Sequence, residues 1–368
     1  MNLKSTLNIM LLLHFLIVTL QVSFAQEKSA ASGMIINPES AAYDHPRERY
    51  LVSCFGSNAI VAIDKSTLRE EIFAEGITKP LGNCILEGVL YVSSQQNLIG
   101  FDLVNAEVVF QLHIPCIQHL DGMTTDGDGN LYVIDTGGKI HKVDTETGAT
   151  ACVVSSGLAQ SVQDCIFDPY NNRLLAVAWK ANAPIQAIDL ETYEVSTATT
   201  TNFGYFDGIT IDPEGRVYVA SHQSPGKIIR YNNALTGHEI ISTGHDEPAG
   251  LDYNAYDHVL AVPNFLGNKV DFIDVQPTGM IDSGKIKNQL LICPNPNQGI
   301  FSLMMKNPPA GQAMLLMADS KGESIFSRHF CFLEDQRKTI DFSHLPKGQY
   351  FLSLINDDVL YSSTVLIH

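Results

Sequence analysis

Hydrophobic and polar positions along the chain fall into short runs of alternating type, broken every few residues by turn formers. Residues 120–144 show the unit most clearly: L-D-G-M-T-T-D-G-D-G-N-L-Y-V-I-D-T-G-G-K-I-H-K-V-D. Residues 122–125, 131–134 and 140–143 read as three strands, and the Asp/Gly/Asn cluster at 126–130 and Thr136-Gly137-Gly138 as tight turns. Residues 164–189 and 206–231 repeat the pattern. Aligning the valine that ends the second strand gives Val52, Val92, Val133, Val177, Val219 and Val262, with gaps of 40, 41, 44, 42 and 43 residues. An aspartate closes the third strand at Asp64, Asp102, Asp144, Asp189 and Asp274, with Tyr231 in its place once. No repeat holds a ten-residue stretch of helical periodicity, so an alternating βα fold is excluded. Six copies at a period near 42 predict an all-β chain whose main domain, residues 26–275, is a six-bladed β-propeller.

Two features complete that expectation. Blades one to five each have a candidate fourth strand (107–112 and 239–242 are examples), whereas the sixth copy stops near Val275. The short apolar segment 34–36 precedes the first full copy and is expected to supply the missing outer strand of blade six, closing the ring. Residues 276–289, rich in glycine, proline and polar residues, read as a linker. From residue 290 short strands resume at 300–305, 313–317, 324–328, 338–342, 348–354 and 362–367, a small β-sandwich domain of residues 290–368.

Composition adds compartment and charge. The chain of 368 residues opens with Lys4, an apolar stretch over residues 9–20, and Ser23-Phe24-Ala25, which together predict a signal peptide at 1–25. Twelve apolar residues are too few to span a bilayer, and no later run approaches that length, so no transmembrane segment is expected in the mature protein. The formal net charge of -17 becomes -18 when Lys4 leaves with the leader, and no basic stripe offsets it. Such a surface repels phosphate backbones, which argues against nucleic acid as a partner. Seven cysteines without C-x-x-C spacing point to no zinc site, and Cys84 and Cys165 sit on first strands as small buried residues.

Blade geometry then locates the candidate chemistry. The loop entering strand one and the loop leaving strand two lie on the same propeller face. That mouth collects Glu39, Gln118, His119, Asp121, Gln163, Asp164 and Asp207 from the entries, and Ser53, Ser94, Asp135, Trp179, Lys180, His222 and Asn264 from the exits. Several carboxylates at one mouth repel one another, and a hard divalent cation with oxygen ligands would relieve the repulsion. The competing reading is that these aspartates cap turns with their own side chains. Asp126-x-Asp128-x-Asn130 has the opening spacing of a calcium loop, but its twelfth position is Gly137, and its counterparts elsewhere are plain turns.

Two resemblances extend the reading. Pro294-Asn295-Pro296 with Gly299 and Phe301, Asp319-Ser320-Lys321-Gly322, and Leu345-Pro346-Lys347-Gly348-Gln349-Tyr350-Phe351 resemble the type IX secretion C-terminal sorting domain, with Cys293 where tyrosine is usual. The resemblance implies an export address, the type IX machinery as partner, and a secreted or cell-surface protein. Residues 37–44 (N-P-E-S-A-A-Y-D) and 207–220 (D-G-I-T-I-D-P-E-G-R-V-Y-V-A) resemble the gluconolactonase/regucalcin (senescence marker protein) superfamily over residues 33–275. That family holds a divalent cation (Ca, Mg, Mn or Zn as candidates) on the propeller axis. Carried over, the metal ligands are Glu39, Gln163 and Asp207, with Gln163-Asp164-Cys165 standing where the family has N-G-L. Asp207 becomes the candidate catalytic base, and Gln118, Asp121, Trp179, His222 and Asn264 line a substrate site, with Leu120 in place of a substrate-side asparagine. Two functions follow: metal-assisted hydrolysis of a lactone or small ester, or non-catalytic binding of a glycan, peptide or surface partner at the mouth.

Overall fold

The computed structural model describes residues 27–275 apart from 127–128, 213 and 256, and beyond them 288–293, 297–305, 311–320, 324–332, 338–356 and 359–368. The expected signal peptide, residues 276–287 of the expected linker 276–289, Asp128 and the motif residues Pro294, Asn295, Pro296, Lys321 and Gly322 lie outside the described residues.

Within 27–275 the strands form six separate four-stranded antiparallel sheets. Their innermost strands are Pro38–Asp44, Pro80–Leu86, Leu120–Thr125, Val162–Asp168, Phe206–Ile211 and Asp252–Asn254, each packed against the next around a ring. This is the six-bladed propeller that the valine spacing predicts. All six aligned valines are buried, at 0–1% exposure. They pack between blades: Val92 sits with Leu51 and Ile60 of the preceding blade, and Val219 with Leu175 and Val177. Burying such a side chain fully contributes about 1.5–3 kcal/mol, so the core is a set of interblade layers. Four of the closing aspartates cap the turns after their third strands. Asp64 Oδ1 accepts from the N–H of Ser66 and Thr67, and Asp102, Asp144 and Asp189 do the same in their own blades.

The ring closes as expected in principle but through a different strand. Glu27–Ala30, not residues 34–36, pairs antiparallel with Lys269–Asp274 and becomes the outer strand of blade six. Ser29 Oγ also donates to Asp271 Oδ1 at 2.6 Å. Residues 34–36 instead lie in the irregular stretch between that strand and the first blade, with Ile35 fully buried against Val52 and Val270 and Met34 and Ile36 each 40% exposed. An outermost strand needs backbone pairing rather than an apolar face, which is why E-K-S-A could serve and hydrophobicity did not reveal it.

Five of the six inner strands carry a register shift near their entry, between Pro38 and Ser40, Pro80 and Asn83, Leu120 and Met123, Val162 and Asp164, and Phe206 and Ile209. A bulge of this kind re-aims the side chains beside it. Here it turns Glu39, Asp121, Gln163 and Asp207 towards the axis.

The C-terminal domain folds around one core that includes Phe301, Leu303, Leu315, Leu352, Leu354 and Val365. Asn288–Cys293 joins its two halves, pairing in parallel with Val359–Ile367 and antiparallel with Ile300–Met305. That strand begins two residues before the expected domain start at residue 290.

Candidate functional site

Small residues let the inner strands converge at the mouth. An added Cβ at Gly122 would overlap the Asp164 carboxylate, and one at Gly208 would overlap the backbone of Ala249 and Gly250 in the next blade. Only blades one and four put a side chain in that position, as Ser40 and Asp164. Asp164 is therefore thrust into the axis. Its Oδ1 accepts from the N–H of Cys165 at 2.8 Å and its Oδ2 from the N–H of Ile209 at 3.1 Å, tying blade four to blade five.

The result is a neck of about 10 Å³ lined by Glu39, Asp121, Asp164, Asp207, Gln163 and Ser40 with three glycines, and by no lysine or arginine. That volume suits one ion or one water. Below it the axis widens into a chamber of about 590 Å³ whose lining includes Asp164, Asp252, Cys84 and Cys165. Burial, followed by the carboxylates of Asp207, Asp121, Asp164 and Glu247, raises the Glu39 pKa well above the ordinary range. Burial and then Asp207 and Asp164 raise Asp121 in the same way. Burial pushes Asp164 to about 8, against the pull of its two N–H donors.

Beside the neck, His222 Nε2 lies 2.8 Å from Asp207 Oδ2, in ion-pair contact rather than as a well-aligned hydrogen bond. Burial disfavours the imidazolium, but the Asp207 carboxylate, helped by Glu247, outweighs it and raises the His222 pKa above its usual value. On the other side of the ring, the Trp179 indole N–H donates to Nδ1 at 3.3 Å. That bond places the neutral ring's proton on Nε2, towards Asp207.

The predicted residues separate accordingly. Glu39, Asp121 and Asp207 meet at the neck, with His222 and Trp179 leading outwards from Asp207 to the rim. Gln163 lines the neck, yet its side-chain N–H donates to its own loop, to the Ser161 carbonyl at 3.1 Å. Gln118 is exposed on the rim. Asn264 is fully buried: Nδ2 donates to the Val262 carbonyl and to Asp271, and Oδ1 accepts from the N–H of Asp246. It holds blade six together rather than facing a ligand. Asp135 likewise binds the N–H groups of Gln118 and Gly137. Sequence reasoning placed Asp164 on this face but overlooked its central position, for which the missing glycine was the available signal.

Glu39 and Asp121, whose charge burial and neighbouring carboxylates disfavour, present with Asp207 the oxygen donors that a hard cation takes. Among the described residues, however, no group of three or more His, Cys, Asp or Glu side chains stands ready to hold a metal ion.

Fold and site define an all-β propeller with an acidic axial mouth, followed by a separate β-domain. Residues 291–368 match the family described as "Secretion system C-terminal sorting domain". The tail is thus a sorting domain that addresses the chain to the type IX secretion machinery, and the protein is secreted to the cell surface or beyond. Among the described residues no helix is long and apolar enough to cross a membrane. No curated protein matches the sequence. Among solved structures the chain is similar to a calcium-binding protein, regucalcin, from Agrobacterium tumefaciens str. C58 (13% identity, TM-score 0.56, 68% of this chain and 93% of that one). It is also similar to a luciferin-regenerating enzyme (13%, TM-score 0.54, 68% and 96%) and to a protein of unknown function from Bacteroides thetaiotaomicron VPI-5482 (12%, TM-score 0.57, 68% and 72%). At these identities the likeness is one of fold.

Proposed function

We propose that the protein is an exported, cation-dependent hydrolase of a lactone or small ester, with its leader at 1–25 removed during export. One observation carries the reading. Asp207 belongs at once to the axial carboxylate cluster and to the His222 pair, so a cation site and a proton-handling pair share one residue. Glu39, Asp121 and Asp207 would hold the cation, and a divalent ion there would supply Lewis-acid polarisation of the substrate carbonyl. Gln118 and Trp179 lie where the body of a substrate would rest. Water adds to the acyl carbon, its proton passes to the Asp207–His222 pair, and the same pair returns it to the leaving alkoxide as the acyl C–O bond breaks. Two of the similar solved structures, a calcium-binding protein and a luciferin-regenerating enzyme, are in keeping with a cation and with chemistry on this fold.

A second reading, binding without chemistry, is favoured by Leu120, which is fully buried, and by Leu81 and Ala249 at the positions equivalent to Asp207 in blades two and six. Hydrolysis of a panel of lactones and aryl esters separates the two. Metal-dependent turnover that Asp207→Asn and His222→Gln each reduce by about 100-fold or more supports the hydrolase. Absence of turnover across the panel with Ca, Mg, Mn and Zn leaves the binding reading.

A further inference from the structure

A second constellation lies away from the axis, at the seam between blades five and six. His238–His245, the outermost strand of blade five, sets Ser242 opposite Ile228 and His245 opposite Gly226. Residues directly opposite in a ladder share a face, and Ile228 is buried with Leu260 and Ile273 of blade six. Strand alternation would put residues three apart on opposite faces. The extra residue in the ladder between them, Gly244 at φ +91°, forms a bulge that brings His245 round to the Ser242 side. Both side chains therefore meet Asp271 on the third strand of blade six.

The three side chains make one chain of bonds. Ser242 Oγ lies 2.8 Å from His245 Nε2, and His245 Nδ1 lies 3.1 Å from Asp271 Oδ2. Asp271 is fully buried and also accepts from Asn264 Nδ2 at 3.0 Å, Ser29 Oγ at 2.6 Å and Lys269 Nζ at 2.8 Å. Burial opposes its charge, but the bonds from His245, Lys269 and Ser29 outweigh burial and hold its pKa below the ordinary range. An ionised carboxylate only accepts, so the neutral imidazole keeps its proton on Nδ1 and offers the Nε2 lone pair to the Ser242 hydroxyl. Exposure rises along the chain: Asp271 is fully buried, His245 is 4% exposed, and Ser242 is half-buried beside exposed Thr243 and Gly244. Asp271 has its donors without Ser242, so the hydroxyl at the open end adds nothing to the bracing of the ring.

We propose that Ser242 is a nucleophile towards small carboxylic esters, with His245 as its general base and Asp271 positioning the imidazole. Ser242 Oγ bonds to the acyl carbon while His245 Nε2 takes the hydroxyl proton. The acyl C–O bond of the ester then breaks, and the imidazolium returns that proton to the leaving alkoxide. Water, deprotonated by the same imidazole, releases the acid and restores the serine. The step calls on no cation, so this site stands apart from the axial mouth, and a half-buried hydroxyl at a seam is reached by small acyl groups.

Full-length protein, with a chelator present, is incubated with p-nitrophenyl acetate and, separately, with a fluorophosphonate, and the digests are mapped by mass spectrometry. The expected adduct, acetyl or phosphonyl, sits on Ser242 and forms with loss of p-nitrophenol or fluoride. Ser242→Ala should abolish it, and His245→Gln should slow it about 100-fold or more, with melting temperatures compared to confirm folding. In the wild type the labelling rate should rise with pH as the imidazole loses its proton, a dependence that a purely structural network would not give. That profile carries the test should His245→Gln fail to fold. No adduct at Ser242, equal labelling of unrelated hydroxyls, or labelling of Ser242 that neither His245→Gln nor pH alters overturns the proposal. The axial hydrolase is read by its metal dependence and this site by its adduct, so the two stand or fall separately.

Discussion

At the scale of single residues, the axial acids set how stability depends on pH. Asp164 titrates near 8 in the folded protein against an ordinary 3.8, and Glu39 and Asp121 are raised for the same reasons. Between roughly pH 4 and 8 the native state therefore holds more protons than the unfolded chain, so stability falls as pH rises. His222 acts in the same direction: its pKa is raised, so its contribution is present below 6.5 and is lost as pH rises through the folded value. The metal-free protein is expected to melt higher at pH 5.5 than at pH 8, as followed by circular dichroism; a higher melting point at pH 8 would show that the cluster is not strained by its own charge. Which carboxylates meet was partly legible. Glu39 and Asp207 could be placed from their motifs and Asp121 from its blade position, but the use of Asn264 inside blade six depends on Asp271 and Asp246, partners that no local pattern announces.

At the scale of elements, the period carried most of the fold because each blade repeats the same burial demand. Val52 to Val262 mark six second strands without error, all of them buried. Where an element answers to backbone pairing alone, the pattern is silent. Glu27–Ala30 is such a strand, and the apolar residues 34–36 drew attention that belonged to their polar neighbour. The bulges that aim Glu39, Asp121 and Asp207 were equally invisible, since they arise from register against the second strand. A chain beginning at Ser32 retains residues 34–36 but lacks the closing strand. It should expose the edge of Lys269–Asp274, melt several degrees lower and aggregate more readily. Equal melting of the two chains would mean that the strand does not close the ring.

At the scale of the molecule, a propeller and a sorting domain divide the work: the tail supplies the address and the ring supplies the mouth. The tail could be recognised because its motif residues are structural; Tyr350, for example, donates through Oη to the Pro346 carbonyl at 2.6 Å, and Gly299 has φ +92°. The activity was less legible, because a propeller fold hosts many chemistries and only the mouth decides among them. The central claim is that the axial carboxylates hold a divalent cation. Its most direct test is the melting temperature of chelator-treated wild-type protein and of Asp207→Asn, at pH 8, with and without millimolar Ca, Mg or Mn. A ligand that binds only the folded state stabilises it by mass action, so at least one ion should raise wild-type melting by about 5 °C and leave Asp207→Asn unmoved. Wild-type melting that none of the ions changes would contradict the account.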